Sequence, residues 1–361
     1  MKKIRVFIID DSALVRKILK EIMDKDPLIE VIGTAPDPII AIRKIRALLP
    51  DVLTLDIEMP KMDGLTFLAK LMKAHPMPVV MFSSLTRQGA DATMKALALG
   101  AIDFIAKPKI SLTEAMDELE NQVITKVKAA STARVKKATA PTLSVPEKYT
   151  TDIIIQPEKR RLTQKGEKIV TIGASTGGTV ALEQILNRLP EDSPPILIVQ
   201  HMPPVFTKSF ADRVNTLSRM HVREAKDKDR VERGTALIAP GGRHMLINRD
   251  SNGYHVDIKD GPPVNRHKPS VDVLFRSAAN TLGPNAKGII LTGMGDDGAR
   301  GLREMRQQGA LTAAQDEESS VVFGMPKVAI SMNGADQVLP LDDIPKLIIT
   351  KLSQDKKNEP L

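Results

Sequence analysis

The sequence predicts an α/β protein of two domains, each built around a mainly parallel β-sheet. The chain has 361 residues, which is more than one ordinary hydrophobic core encloses. Short apolar runs alternate with amphipathic stretches through residues 1–129 and again through residues 166–353. Between these regions, residues 130–165 lose this periodicity and are rich in Ala, Thr, Ser, Lys and Pro, a composition typical of a linker.

The first region contains five apolar runs, and a helical pattern follows each of them. We predict strands at residues 4–9, 31–35, 52–55, 79–82 and 102–106. The predicted helices start after Ser12, from Pro38, after Gly64, after Gln88 and from Leu112. Five strand and helix pairs predict an open, doubly wound parallel sheet of the flavodoxin-like (βα)5 type.

The second region also alternates strands and helices, with one interruption. Strands are predicted at residues 168–172, 196–200 and 288–291, separated by helical stretches. Within residues 233–259, short strands are joined by Gly-Gly and Asn-Gly turns, which predicts an antiparallel hairpin that interrupts the parallel sheet. We therefore predict a doubly wound, mainly parallel α/β domain with an antiparallel hairpin.

Composition and charge narrow the functional classes. Cysteine is absent, which excludes disulfides, thiolate metal sites and a cysteine nucleophile, and fits a cytoplasmic location. No window of about 18 apolar residues predicts a membrane span, and the N-terminal apolar run stops at Asp10, too early for a signal peptide. The net charge of +8 is spread along both halves, so we expect a solvated surface and no nucleic-acid partner.

Polar side chains follow four of the predicted strands in the first region. Asp10 and Asp11 follow the first strand, Asp56 the third, Ser83 the fourth and Lys107 the fifth. Carboxyl ends of parallel strands meet at one sheet edge, and neighbouring carboxylates require a cation, most simply Mg²⁺. Asp56 could then attack a phosphoryl donor, with Lys107 and the Ser83 hydroxyl contacting the phosphoryl oxygens. Any one of these aspartates taken alone would be read as a helix cap.

Asp56 begins the segment Asp56-Ile57-Glu58-Met59-Pro60, which leads to Asp63-Gly64, and Lys107 lies in the pair Lys107-Pro108. With this set of motifs, region 1–129 resembles the receiver domains of two-component response regulators. The resemblance implies that Asp56 is the phosphoacceptor and that a histidine kinase is its phosphodonor. It implies a Mg²⁺ site formed by Asp11, Asp56 and the Glu58 carbonyl, with Asp10 assisting through water. It also implies supporting roles for the switch residues Ser83 and Phe104 and for Lys107, with a cis Lys107-Pro108 peptide bond.

A serine in the second region lies on a predicted strand-to-helix turn. The segment Gly173-Ala174-Ser175-Thr176-Gly177-Gly178 satisfies G-x-S-x-G, whose small residues permit a tight turn near a helix N-terminus. A phosphate-binding loop is the alternative interpretation. It is disfavoured because the segment lacks both common phosphate-loop patterns, and because the next strand ends in Gln200-His201 and not in an acidic residue.

A serine nucleophile needs a base that a third group orients. His201 is favoured among the six histidines because it closes the strand that follows the serine strand in sequence. The strand at residues 288–291 leads into a glycine-rich turn that holds Asp296 and Asp297, so either aspartate could be the orienting acid. The glycines leave backbone N–H groups available for an oxyanion. The order Ser, His, Asp differs from the Ser, Asp, His order of the α/β hydrolases.

The second region resembles the catalytic domain of the CheB family, the chemotaxis protein-glutamate methylesterases, over about residues 166–353. The matching motifs are residues 173–178, Gln200-His201-Met202-Pro203, residues 239–242 with His244-Met245, Pro269-Ser270-Val271-Asp272, and residues 291–295 with Asp297-Gly298. The resemblance implies a hydrolase-type domain in which Ser175 is the nucleophile, His201 the general base and Asp297 its orienting acid. Met294 would supply an oxyanion amide, and Thr176 and residues 240–244 would wall the site.

This resemblance implies a phosphorylation-activated hydrolase without a cofactor for its ester chemistry. The expected substrates are methyl-accepting chemotaxis receptors, whose glutamate methyl esters would yield glutamate and methanol, and whose glutamines would be deamidated. The receiver is expected to cover the catalytic cleft until Asp56 is phosphorylated, in a monomeric protein. Three other functions are considered: a regulator with a DNA-binding output, a hydrolase of small esters, and a nucleotide-binding module. The first is disfavoured because the second region has no helix-turn-helix pattern.

Overall fold

A computed structural model describes residues 3–59, 62–84, 86–107, 113–133, 150–158 and 168–350. A five-stranded parallel sheet forms the first domain and a seven-stranded parallel sheet forms the second. A two-stranded antiparallel sheet accompanies the larger one. These sheets confirm the predicted fold class.

The first domain has the flavodoxin-like arrangement that the alternating pattern predicts. Its strands are β1 (Ile4–Ile9), β2 (Ile29–Ala35), β3 (Val52–Asp56), β4 (Val79–Ser83) and β5 (Asp103–Ala106). Its helices are α1 (Ala13–Asp24), α2 (Pro38–Leu48), α3 (Gly64–Ala74), α4 (Arg87–Ala98) and α5 (Thr113–Thr132). The strand order is β2-β1-β3-β4-β5, so the carboxyl ends of β1, β3 and β5 lie at one edge.

Side-chain caps fix where the first four helices of this domain begin. Each N-cap oxygen accepts the backbone N–H three residues further on; these caps are Ser12, Asp37, Asp63 and Thr86. The strands β3 and β4 are buried along their whole length, because helices cover both faces of a parallel sheet.

The second domain is larger and carries the predicted serine turn. Its strands are β6 (Ile169–Ala174), β7 (Ile196–Gln200), β8 (His221–Glu224), β9 (Thr235–Ile238), β10 (His244–Asp250), β11 (Gly253–Lys259), β12 (Ala286–Ile290), β13 (Leu311–Gln315) and β14 (Gln337–Leu339). Its helices are α6 (Gly178–Asn187), α7 (Phe206–Leu217), α8 (Val271–Leu282), α9 (Ala299–Gln307), α10 (Met325–Ser331) and α11 (Ile344–Ile349). The main sheet has the order β14-β13-β12-β6-β7-β9-β8.

The expected antiparallel hairpin is present, but it lies outside the main sheet. Strands β10 and β11 pair only with each other among the named strands, while β9 continues the parallel sheet beside β7. The hairpin buries Met245, Ile247 and Val256 in the same cluster as Leu274 and Ala278 of α8. Its apolar face therefore packs against a helix, so the hairpin forms an additional layer and does not break the sheet.

The region predicted as a linker contains more structure than its composition suggests. Helix α5 continues to Thr132, past the predicted boundary at residue 129. Residues 150–158 pack on the second domain, where Ile154 and Ile155 cover a small apolar cluster and Arg276 pairs with Asp152. The remaining linker residues, and Pro108 with its expected cis bond, lie outside the described residues.

The two domains share an apolar contact surface. Helix α4 packs on α7, and the ring of Phe104 stacks on Phe206 with centroids 4.4 Å apart. Buried residues of α5 share one cluster with Val322 of the second domain. Within the described residues no helix is long and apolar enough to cross a bilayer.

Candidate active site

The serine turn lies at the middle of the larger sheet, between two other predicted site segments. Strand β6 carries the serine turn at its carboxyl end and pairs with β7 on one side and β12 on the other. His201 follows β7, and Asp297 lies in the loop after β12. Three neighbouring strands therefore bring the predicted serine, histidine and aspartate to the same sheet edge.

Backbone contacts hold Ser175 on a tight turn. Its N–H donates to the Thr292 carbonyl at 3.0 Å, and its own carbonyl accepts the Gly178 N–H at 2.7 Å. Gly177 has a φ of 78°, the left-handed region that glycine adopts at low cost, and it leads directly into α6. The G-x-S-x-G spacing thus produces the strand-to-helix turn that was predicted.

His201 and Asp297 form a buried hydrogen-bonded pair. The imidazole Nε2 lies 2.8 Å from Asp297 Oδ2. The other ring nitrogen, Nδ1, has no hydrogen-bond partner among the described residues. No hydrogen bond joins Ser175 to His201 within this described part of the chain, although Ala174 and Gln200, the residues before them, are paired across β6 and β7. Catalytic hydrogen bonds of free enzymes often tighten only with substrate bound.

Asp297 is the most fully bonded carboxylate of the site and is only 1% exposed. Oδ1 accepts from Asn265 Nδ2 at 2.8 Å and from Ser270 Oγ at 2.7 Å, and Oδ2 accepts the Val271 N–H at 2.7 Å. Burial opposes ionisation, but the hydrogen bonds and charges of the neighbouring His201, His267 and Asn265 together hold the pKa of Asp297 below its ordinary value. The α8 N-terminus therefore binds an ionised Asp297.

The glycine-rich turn after β12 lies directly against the serine. A Cβ placed on Gly293 would lie 2.7 Å from the Ser175 Cβ, so only glycine permits this approach. The Met294 N–H that follows donates to no acceptor among the described residues. An unpaired amide beside a serine hydroxyl is the kind of donor that stabilises a developing oxyanion.

A second group of predicted residues meets at the edge of the smaller sheet. Oxygen atoms of Asp10, Asp11 and Asp56 lie within 4.8 Å of one another. The Lys107 ammonium is 2.8 Å from Asp56 Oδ2 and 3.1 Å from Asp10 Oδ2. Burial raises the pKa of Asp56 to about 6 despite the nearby lysine. A hard cation fits this donor set, since carboxylate oxygens are the ligands Mg²⁺ prefers.

The supporting residues of this group point in different directions. The Ser83 hydroxyl donates to the Gly89 carbonyl at 3.0 Å, toward the start of α4. The Glu58 side chain is exposed and accepts from the Ser84 hydroxyl at 3.2 Å. The Phe104 ring stacks on Phe206 in the contact surface between the domains.

Both halves of the chain match models of known families. Residues 170–348 match the CheB methylesterase family, and residues 6–120 match the response regulator receiver domain. A protein-glutamate methylesterase/protein-glutamine glutaminase of Geobacter metallireducens is 54% identical over 343 residues, 95% of this chain and 94% of that protein. The chain belongs to the CheB methylesterase family.

Other members of the CheB family support the same relationship. A protein-glutamate methylesterase/protein-glutamine glutaminase of Rhodopseudomonas palustris is 54% identical over 356 residues, covering 98% of this chain and 97% of that protein. The crystal structure of the CheB methylesterase catalytic domain of Thermotoga maritima is similar with a TM-score of 0.50 and 40% identity. It covers 51% of this chain and 98% of that one.

Two residues of this CheB-family site were not identified from the sequence as site residues. The ring of His267 stacks on His201 with centroids 3.6 Å apart and planes 5° from parallel. Asn265 donates to Asp297 from the same turn. Both lie more than 60 residues from His201, and no spacing pattern links them to the serine turn. The nearby motif Pro269-Ser270-Val271-Asp272 was the one signal that pointed to this segment.

The remaining predicted residues of the CheB-type domain have identifiable positions. Asp296 is half-buried next to Asp297, and it is Asp297 that contacts His201. His244 is buried: its Nε2 lies 3.0 Å from the Pro262 carbonyl and its Nδ1 accepts the Ser270 N–H at 3.3 Å. The residue after the serine, Thr176, donates its hydroxyl to Asp103 Oδ2 of the receiver at 2.6 Å.

Proposed function

We propose that this chain is a phosphorylation-activated protein-glutamate methylesterase and protein-glutamine glutaminase. The observation that carries the proposal is the His201–Asp297 pair beside the serine turn, in a chain of the CheB methylesterase family. The relatives that match nearly the whole chain bear the names of both activities. The substrates would be glutamate methyl esters and glutamines of methyl-accepting chemotaxis receptors.

In the proposed reaction, Ser175 attacks the γ-carbonyl carbon of the glutamyl ester while the imidazole of His201 accepts the hydroxyl proton. Since Nε2 is bonded to Asp297, Nδ1 is the ring nitrogen that receives this proton. Asp297 holds the tautomer and stabilises the imidazolium. No cofactor takes part in these steps.

The tetrahedral intermediate places a negative charge on the former carbonyl oxygen. The unpaired Met294 N–H supports a role as its donor, because Gly293 brings this turn against Ser175. The imidazolium then protonates the leaving methoxide, methanol departs, and water hydrolyses the acyl-enzyme by the reverse proton path. The same steps with ammonia leaving convert glutamine to glutamate.

We propose that the receiver inhibits this site until Asp56 is phosphorylated. Asp103 of the receiver contacts Thr176, the residue next to the nucleophile, and Met294 packs against the cluster that contains α5. A receptor segment must reach both Ser175 and Met294. The receiver therefore competes with substrate for the same side of the catalytic domain.

Asp10, Asp11 and Asp56, with the Glu58 carbonyl, would hold Mg²⁺ during phosphorylation. When bound, the ion balances the carboxylate charge and polarises the phosphoryl donor. Asp56 is the proposed phosphoacceptor, Lys107 contacts the added phosphoryl oxygens, and Ser83 and Phe104 respond to them. The phosphodonor would be a chemotaxis histidine kinase. The proposal includes a monomer in the cytoplasm that approaches the membrane only through receptors and binds no nucleic acid.

Methanol release from methylated receptor membranes tests the catalytic assignment. Ser175→Ala should abolish release while thermal unfolding stays close to that of the parent. Ser251→Ala, in the exposed turn between β10 and β11, is the matched control and should retain full activity. Unchanged methanol release by Ser175→Ala would show that Ser175 is not the nucleophile and would contradict the proposed mechanism. A parent protein that hydrolyses small esters but not methylated receptors would favour a small-ester hydrolase, provided that Ser175→Ala loses the small-ester activity.

A further inference from the structure

A short turn in the second domain contacts both members of the His201–Asp297 pair. Val264 and His267 exchange two backbone hydrogen bonds, of 3.1 and 2.9 Å, so residues 264–267 form a two-residue hairpin. Its central residues Asn265 and Arg266 have φ values of 50° and 71°. This is the type I′ pattern, which normally selects glycine at its second central position. A chain that keeps Arg there retains a strained turn, and such strain concentrates at functional sites.

The Asn265 side chain connects two buried carboxyl groups. Its Nδ2 donates to Asp297 Oδ1 at 2.8 Å and to Asp272 Oδ2 at 2.6 Å. The two acceptor oxygens require the amide nitrogen, and not the amide oxygen, to face them. Asp272 is itself fixed, because its Oδ1 accepts the Gly301 N–H at the start of α9.

From this geometry we infer that Asn265 is a positioning residue for the proposed hydrolase, and that Asp272 acts through it. Asn265 and Ser270 occupy Oδ1 of Asp297, so the carboxylate cannot rotate without breaking both bonds. Oδ2 is thereby kept on His201 Nε2, and Nδ1 is kept free to accept the serine proton. Asp272 prevents the Asn265 amide from turning its oxygen toward Asp297, which would repel the carboxylate.

The inference rests on the proposed function, and four full-length variants test it. Asn265→Ala removes the bridge, whereas Asp272→Asn keeps the shape and the acceptor for Gly301 but presents an NH₂ group to the Asn265 amide. Each should lower kcat for methanol release by about 10-fold to 100-fold with KM within about twofold, since each weakens a charged hydrogen bond. The double variant should be no slower than Asn265→Ala, because Asp272 acts through Asn265.

Asn248→Ala is the matched control. Asn248 Nδ2 donates to Asp257 Oδ2 at 2.8 Å on the hairpin, an equivalent amide–carboxylate bond outside the site. Its kcat should stay within about twofold of the parent. A second readout is the downfield proton resonance of the His201 N–H that is bonded to Asp297. This resonance should shift in Asn265→Ala and Asp272→Asn and stay in place in the control.

Three results would overturn the inference. The first is a kcat of Asn265→Ala within about twofold of the parent. The second is a kcat of the double variant reduced by the product of the two single reductions. The third is an unshifted resonance of the His201 proton together with a kcat that falls only in step with thermal stability. Failure of the proposed function is separate, because it would appear as methanol release that survives Ser175→Ala. The His201 proton reports on the bridge even then.

Discussion

Removing the Asp103 carboxylate should activate the enzyme without phosphorylation. Asp103 Oδ2 accepts the Thr176 hydroxyl at 2.6 Å across the domain surface, and Oδ1 lies 2.9 Å from the Lys126 ammonium within the receiver. Thr176 is 4% exposed, so Asp103→Ala leaves its buried hydroxyl without this acceptor whenever the domains are closed. When they open, water replaces the lost acceptor. The substitution therefore destabilises the closed arrangement more than the open one.

The expected size follows from the kind of bond removed. A hydrogen bond to a charged group contributes about 1.5–3 kcal/mol, which shifts the open-to-closed ratio about 10-fold to 150-fold. Basal methanol release by the unphosphorylated protein should rise by that factor, up to the level that phosphorylation produces. Placing Asp103→Ala in an Asp56→Asn background excludes phosphorylation as the cause.

The control disrupts a similar ion pair inside the receiver. Asp26 pairs with Lys128, and both side chains are nearly as buried as that of Asp103. Asp26→Ala should leave basal release within about twofold of the parent, since its ion pair with Lys128 lies within the receiver. If Asp103→Ala also stayed within twofold while phosphorylation still activated it, the Asp103–Thr176 bond would not contribute to inhibition.

Three further predictions follow from the same structure. The pKa of Asp56 is raised to about 6, so Mg²⁺ affinity measured by calorimetry should fall as the pH decreases through about 6; equal affinity at pH 5 and pH 7.5 would contradict this. Gly293→Ala places a methyl group 2.7 Å from the Ser175 Cβ and should reduce methanol release at least about 10-fold, with circular dichroism to check folding. Arg276 is 1% exposed and pairs with Asp152 and Glu304, so Arg276→Met leaves both carboxylates without their cation. The substitution should lower the free energy of unfolding by about 3 kcal/mol, less if those partly exposed partners rehydrate. Limited proteolysis should then cut near residues 150–158 first. Resistance equal to the parent would show that the Arg276–Asp152 pair does not hold this segment on the second domain.

The fold could be predicted from local patterns, because each strand and helix carries its own signal. The strand after Lys3, the caps at Ser12 and Asp37 and the serine turn all depend on residues close in sequence. Local patterns also predict the antiparallel hairpin, but they do not predict that it packs outside the main sheet as a separate layer. Its position beside α8 depends on which apolar face finds a partner, and that is a tertiary property.

The site could be predicted only where chain order and sheet edge coincide. His201 could be predicted from the sequence because β6 and β7 are consecutive strands that also pair. The choice between Asp296 and Asp297 required the family resemblance, since both follow the same glycine turn. Asn265 and the Phe104–Phe206 contact depend on segments that meet only in the folded chain, so no spacing rule reveals them.

One short strand connects the two sites of the molecule. Strand β5 begins at Asp103, which accepts the hydroxyl of Thr176 next to Ser175, and ends just before Lys107, which contacts Asp56. These ends are about 13 Å apart along an extended backbone. A phosphoryl group on Asp56 would add negative charge that draws Lys107 toward it, and Phe104 lies between the two ends of the strand in the domain surface. Under the proposed regulation, a displacement at the carboxyl end of β5 would therefore act on two contacts between the receiver and the catalytic domain, Phe104–Phe206 and Asp103–Thr176.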